Sequence, residues 1–170
     1  MLLERANREV DQASARRRWT IPARYGDEHG PDLAYVSEAM GLSDEAAIQA
    51  HASLRLRVLM LGFAPGLAYL GIAGEPWDIP RRPEVRPHVP PGSILVAVRQ
   101  TVLAGTAIPT GWQHIAHTPV PTFQPEAADP FRFDPGDIVS FEPVSAEEHA
   151  SLSQQADAGS LTITPATDDR

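Results

Sequence analysis

The chain has 170 residues, 42% hydrophobic and 21% charged, with a formal net charge of −8 at pH 7. That is room for one domain with short tails, and the acidic balance argues against general nucleic-acid binding. Cysteine is absent, which excludes disulfides, thiolate metal sites and a cysteine nucleophile; lysine is absent too, all 14 basic residues being arginine, which excludes a lysine Schiff base, a biotin-carrying lysine on this chain and a GxxxxGK[ST] phosphate loop.

Residues 1–18 are polar and rich in Arg and Ala; they read as a solvated arm or a short helix ending near Arg16, Arg17 and Arg18, where basic residues would face the negative end of the helix dipole. Residues 19–25 (WTIPARY) predict a strand. Gly30–Pro31 opens a helix with Asp32 in its first turn, Leu33, Val36 and Met40 on one face and Gly41 at its end. Ser43 caps a second helix, with Asp44 and Glu45 in its first turn and Ile48 and Ala52 on one side, and the pair reads as a helical hairpin laid on a sheet. Strands follow at Arg57 to Leu61, Ser93 to Gln100 (SILVAVRQ, the most apolar), Trp112 to Ala116, and Ile138 to Phe141 after the Pro135–Gly136–Asp137 turn. The proline-rich tract from Pro80 to Pro91 bars any long helix. Residues 145–156 add a C-terminal helix and 157–170 a frayed acidic tail. This is a mainly β chain with short helices, organised as an arm at 1–18, a domain at 19–145 and a C-terminal helix and tail at 146–170. No run approaches the about 18 apolar residues of a membrane span, and the charged LLERANREV start is unlike a signal peptide, so the expected location is the cytoplasm.

Several stretches carry candidate chemistry. Gly62–Phe63–Ala64–Pro65–Gly66–Leu67–Ala68–Tyr69–Leu70–Gly71 is either a pocket-lining loop, its glycines allowing close backbone approach and its aromatics giving a flat wall, or a tight turn with two core aromatics. Arg81, Arg82 and Arg86, with His88, stand on stiff prolines and form either an anion clamp or a solvated, salt-bridged face. Gln100 and Thr101 end the apolar strand, as ligand contacts or as strand-end caps, and Trp112 is a core residue or a ligand stack. His114 and His117 are spaced H-x-x-H; on a strand that offset sends them to opposite faces, and His29, His51, His88 and His149 add no ligand spacing, so no metal is expected. Without a GxSxG there is no sign of an esterase-type nucleophile, and the catalytic residues are left unassigned.

The run Leu61–Gly62–Phe63–Ala64–Pro65–Gly66 with Tyr69–Leu70–Gly71 resembles the LGFAPGFxYLGG signature of the 5-oxoprolinase B-subunit family, also called KipI-like or allophanate hydrolase subunit 1. Tyr25–Gly26 with Gly30–Pro31–Asp32–Leu33, Gly41–Leu42–Ser43 with His51, Pro80–Arg81–Arg82 with Arg86, Val89–Pro90 and Gly92–Ser93, then Gln100–Thr101, Gly111–Trp112, Thr118–Pro119 and Pro135–Gly136–Asp137 with Val139 and Phe141 match the family's further motifs in order, over roughly residues 21–149. The resemblance implies a cyclophilin-like β-barrel, without most of the family's N-terminal domain. It also implies one cleft formed by Gly62, Phe63, Pro65, Gly66, Tyr69, Arg81, Arg82, Arg86, Gln100, Thr101 and Trp112.

Members of this family belong to an ATP-using hydrolase that opens 5-oxoproline, where they pair with a homologous C-type subunit (KipA-like) and an A-type subunit. Others inhibit a sensor histidine kinase, and others are carboxyltransferase halves of urea carboxylase-type systems. The resemblance therefore implies a non-autonomous component of a C–N hydrolase that binds a small carboxylate or amide and no nucleic acid or membrane, with ATP used by the assembled complex and no cofactor on this chain. One segment departs from the pattern. Where the family has roughly GxYPxxSPGGW, this chain has Val102–Leu103–Ala104–Gly105–Thr106–Ala107–Ile108–Pro109–Thr110–Gly111–Trp112, with Val102 in place of glycine and Ala104 in place of tyrosine, and His117 stands where an arginine is usual.

Overall fold

The structure is a computed structural model and describes residues 17–167. Strand β1 (Arg17–Tyr25) sends Trp19, Ile21, Ala23 and Tyr25 inward at a spacing of two, the pleat's own period. The same alternation shapes β2 (Leu56–Leu61), β3 (Ala68–Ile72), β5 (Ser93–Ala97), β6 (Gln100–Leu103), β8 (Gln113–His117) and β9 (Ile138–Pro143); β4 (Arg86–Val89) and β7 (Ile108–Thr110) form a separate two-stranded ribbon, and β10 (Ala166–Thr167) adds to the start of β1.

Seven of these strands close a barrel in the order β1-β8-β5-β6-β3-β2-β9, with β9 returning to β1. The closing pair is parallel, from Arg18↔Ile138 to Ala23↔Pro143; the other barrel pairs are antiparallel. The mainly β barrel with short helices that the sequence implied is what forms.

The helices are α1 (Leu33–Met40), α2 (Asp44–Ala52) and α3 (Ala146–Asp157). Gly41 ends α1 in the left-handed region at φ 67°, and Ser43 and Ser145 each accept a bond from a backbone N–H of the first turn, at Ala46 and Glu148. Leu33 and Val36 pack into the core as expected, and α2 buries Ala47 and His51 fully while Ile48 packs against the core partly buried. Among the described residues no helix is long and apolar enough to cross a membrane.

The barrel has two apolar layers. Ile94, Val96, Leu103, Ala68 and Leu70 point into the main core with Ile21, Val58, Val139 and Phe141, whereas Leu95, Ala97, Val102 and Ala104 point outward and are covered by Val89, Ile108, Trp112 and Leu67. The β4–β7 ribbon thus roofs the outer face of β5 and β6.

Four sequence expectations need correction. Residues 158–167 are not a frayed tail, because Leu161 and Ile163 pack against the core and Ala166–Thr167 pairs with β1. Arg17 and Arg18 lie in β1 and do not end a helix; residues 1–16 of the arm lie outside the described residues. Ser93 to Gln100 is not one strand, because Val98 and Arg99 turn the chain with φ 44° and 66°, so Gln100 and Thr101 begin β6. The glycine run is loop only as far as Leu67, and Ala68–Ile72 is β3.

Candidate functional site

Under the ribbon a cleft of about 430 Å³ opens onto the outer face of β3, β6 and β5. Register builds its floor. Tyr69 on β3 lies opposite Val102 on β6, which lies opposite Leu95 on β5, and all three side chains line the cleft. Gln100, two residues before Val102, shares that face, while Thr101 between them points inward and is 3.0 Å from His51 Nε2. Successive strand residues cannot both meet one ligand, so the expected Gln100–Thr101 pair is divided between cleft and core.

The cleft's wall is held by hydrogen bonds from both backbone and side chains. Arg82 N–H donates to Gly111 O, Gln113 Nε2 donates to Pro80 O (3.0 Å), and Trp112 N–H donates to Thr110 Oγ1 (3.0 Å). These fix the proline tract against the start of β8. Trp112 meets Tyr69 edge-on at 6.3 Å between ring centroids, and the Arg81 guanidinium lies 5.6 Å from the Trp112 ring centre.

The three arginines have different work. Asp32, 7% exposed, receives both Nη atoms of Arg86 at 3.0 Å, Arg82 Nη1 at 2.6 Å and the His114 N–H at 2.7 Å. Burial alone would raise the Asp32 pKa; the Arg86 and His114 hydrogen bonds and the two guanidinium charges outweigh it and hold it below the usual carboxylate range. Arg86 is thus a strut behind the wall and does not line the cleft, Arg82 lines it with one nitrogen already engaged, and Arg81 faces it with no carboxylate partner among the described residues.

The glycine loop contributes Phe63, which is 73% exposed at the cleft's lip, but Gly62, Pro65 and Gly66 do not line the cleft. Gly62 N–H and Leu67 N–H are bonded within the loop, to Leu67 O and Ala64 O. Gly66, at φ 68°, sits against Phe123, whose Cβ would lie 2.5 Å from an added methyl, so its glycine serves packing. The structure therefore brings Phe63, Tyr69, Arg81, Arg82, Gln100 and Trp112 to one cleft and leaves Gly62, Pro65, Gly66, Arg86 and Thr101 outside its lining. Sequence reading missed Leu95 and Thr110, which also line it; the position of Leu95 follows from period-two counting along β5. Val102, one of the departures from the family pattern, forms part of the floor, and Ala104 lies in the apolar layer beside it.

Beneath the floor, His51 is wholly buried, with Nδ1 2.8 Å from Tyr25 Oη and the ring stacked on Phe141. Burial pushes its pKa down to about 3 and pushes that of Tyr25 up. This buried chain of polar groups locks α2 to β1 and β6.

The family described as carboxyltransferase domain, subdomain C and D, matches residues 1–133. The 5-oxoprolinase B subunit of Escherichia coli O157:H7 is 43% identical over 123 residues, 72% of this chain and 56% of that protein. The 5-oxoprolinase B subunit of Bacillus subtilis (strain 168) is 38% identical over 136 residues, 80% of this chain and 57% of that protein. The chain thus spans a little over half the length of these curated relatives. Among solved structures, a conserved uncharacterized protein from Pyrococcus horikoshii matches at 36% identity and a TM-score of 0.74, over 86% of this chain and 66% of that one. The urea carboxylase of Kluyveromyces lactis matches at a TM-score of 0.76 over 98% of this chain and 18% of that one; at 16% identity this likeness concerns the fold alone. With the match to residues 1–133 covering most of the barrel, this chain belongs to the carboxyltransferase domain, subdomain C and D, family.

Proposed function

We propose that this chain supplies the substrate-binding cleft of a 5-oxoprolinase-type complex in the role of its B subunit, together with a homologous C-type barrel and an ATP-using A-type subunit. The observation that carries the reading is Arg81, held over Trp112 at the mouth of an apolar-floored cleft and free of any described carboxylate. A small cyclic amide bearing a carboxylate fits those groups. Arg81 takes the carboxylate, the Gln100 side-chain amide pairs with the lactam, and Tyr69, Val102 and Leu95 cover the ring methylenes. The names of the curated relatives support the same substrate class.

The cleft binds and orients rather than attacks. Its hydroxyls belong to Tyr69 and Thr110, and Thr110 Oγ1 already accepts from Trp112 N–H. A non-autonomous role follows: the phosphorylating or attacking group comes from another chain of the complex.

The test is ATP-dependent ring opening of 5-oxoproline by this chain co-expressed with its A-type and C-type companions. Turnover is expected to vanish when this chain is omitted. Arg81→Ala is expected to raise KM by about 10–100-fold, the loss of one charge-assisted hydrogen bond, with assembly intact. An assembled complex that turns over equally well with Arg81→Ala would overturn the assignment of Arg81, and one that never opens 5-oxoproline would overturn the substrate class.

A further inference from the structure

Away from the cleft, three histidines from distant parts of the chain converge. His29 ends the short 3-10 turn Asp27–His29, His117 ends β8, and His149 lies on α3 with 5% exposure. One ring nitrogen from each lies within 4.8 Å of the other two. The His29 and His149 rings are 4.2 Å apart between centroids, and His117 Nδ1 is 2.9 Å from His149 Nε2.

We propose that His29, His117 and His149 form a binding site for a divalent first-row transition ion, zinc first among them. The chemistry of His117 is the strongest part of the argument. Its Nε2 lies 2.9 Å from Pro91 O, and a carbonyl oxygen can only accept, so Nε2 carries the proton and the lone pair of Nδ1 points at His149. A histidine whose other ring nitrogen donates to a backbone carbonyl is oriented in the way metal-ligating histidines are.

The distances suit the ion as well. Bonds of about 2.0–2.1 Å in tetrahedral geometry separate ligand nitrogens by about 3.3 Å, so the nitrogens need shift only modestly from their positions within 4.8 Å. Glu28, whose Oε1 is 3.8 Å from His29 Nε2, or a water completes four-coordination. The adjacent Arg24 guanidinium is already paired with Asp27 at 2.8 Å.

The site also has an entrance. His117 lines a second cleft, of about 460 Å³, between the Pro91–Gly92 turn, residues 118–124 and Ser153, Ala156 and Asp157 of α3. His117 is the member of the trio that lines this cleft, so where a water rather than Glu28 takes the fourth position, the donor set is that of an ion that polarises its bound water.

The experiment titrates the untagged full chain with Co²⁺ and Zn²⁺, reading the visible Co²⁺ spectrum, binding calorimetry and metal content after gel filtration. One ion per chain is expected, with a tetrahedral or five-coordinate nitrogen-rich Co²⁺ spectrum displaced by Zn²⁺. His29→Gln and His149→Gln are each expected to weaken binding by at least about tenfold, with far-ultraviolet circular dichroism confirming the fold. His29 sits on a partly exposed turn, so its variant tests the site even if the His149 variant fails to fold. No stoichiometric binding by the wild-type chain, or binding unchanged in a folded His29→Gln variant, overturns the proposal and makes the trio a hydrogen-bonded contact only. Ring-opening activity does not enter the readout, so the result is independent of the function proposed above.

Discussion

Asp32 shows how one carboxylate can govern a site it does not touch. It stands where a helix N-cap would be, yet its side chain makes no capping bond and reaches instead to Arg82, Arg86 and the His114 N–H. Asp32→Asn leaves two guanidiniums facing each other without a counter-charge. Breaking a buried pair costs about 3–5 kcal/mol, and because the arginines are 29% and 24% exposed a loss nearer about 2 kcal/mol is expected. Urea denaturation of the variant at pH 7 measures it. Since the Asp32 pKa is lowered on folding, its contribution is present above the unfolded value of about 3.9 and is lost as pH falls through the lower folded value. The wild-type advantage over Asp32→Asn should therefore shrink only in acid. In the sequence Asp32 reads as an ordinary first-turn acid, because its partners lie 50 and 54 residues away.

The buried histidines act in a different pH window. Burial pushes His51 down to about 3 and His114 to about 4, whereas the unfolded chain takes up protons near pH 6.5. Below pH 6.5 the unfolded state binds protons that the folded state refuses, so stability falls as pH drops, by up to about 1.4 kcal/mol per pH unit for each such histidine. Denaturant midpoints measured from pH 7.5 down to 5 in chelator should decline steadily, and a flat profile would contradict the burial of neutral imidazoles.

At the scale of elements, local signals and their absence explain what the sequence revealed. Gly41 in the left-handed region and the caps at Ser43 and Ser145 are short-range features, and helices α1, α2 and α3 were legible from residues of that kind. The β5–β6 hairpin was not, because its two-residue turn is Val98–Arg99, where asparagine or glycine is the usual occupant of positive φ. A β-branched residue at φ 44° is strained, so Val98→Asn should stabilise the barrel by about 0.5–1 kcal/mol, read as a rise in thermal midpoint of a few degrees. Removing the Ser145 cap with Ser145→Ala should cost about 1 kcal/mol. The cleft was partly legible for a similar reason. Tyr69, Gln100 and Trp112 are visible as polar or aromatic residues beside strands, but the roles of Arg82 and Arg86 depend on Asp32, which no local pattern links to them.

Over the whole molecule, long-range convergence decides what a sequence reading misses. The histidine trio joins positions 29, 117 and 149 from three elements, a convergence that the H-x-x-H spacing of His114 and His117 does not show. The spacing rule assumes regular alternation, but the pairing of β8 with β5 shifts register at Ile115, which has no partner between His114 and Ala116. The trio also depends on β8 and α3 meeting, a fact absent from any short window. Close packing between loops is equally nonlocal. A methyl on Gly105 would lie 2.6 Å from Pro65 O and from Gly66 C, so Gly105→Ala should destabilise the fold and deform the lip of the cleft, and a thermal midpoint unchanged from wild type would refute that contact.

The parallel seam between β1 and β9 imposes an order on synthesis at the ribosome. Arg17 and Trp19 bond to Asp137, 120 and 118 residues later, so the first described strand has no partner on one side until nearly the whole barrel has been translated. At about 5–20 residues per second that interval is on the order of ten seconds, during which Trp19 and Ile21 are exposed on a nascent chain that cannot yet close. Chaperone capture in that interval, and release once β9 has emerged, is the expected life history of a polypeptide whose closing strands lie at opposite ends of its barrel.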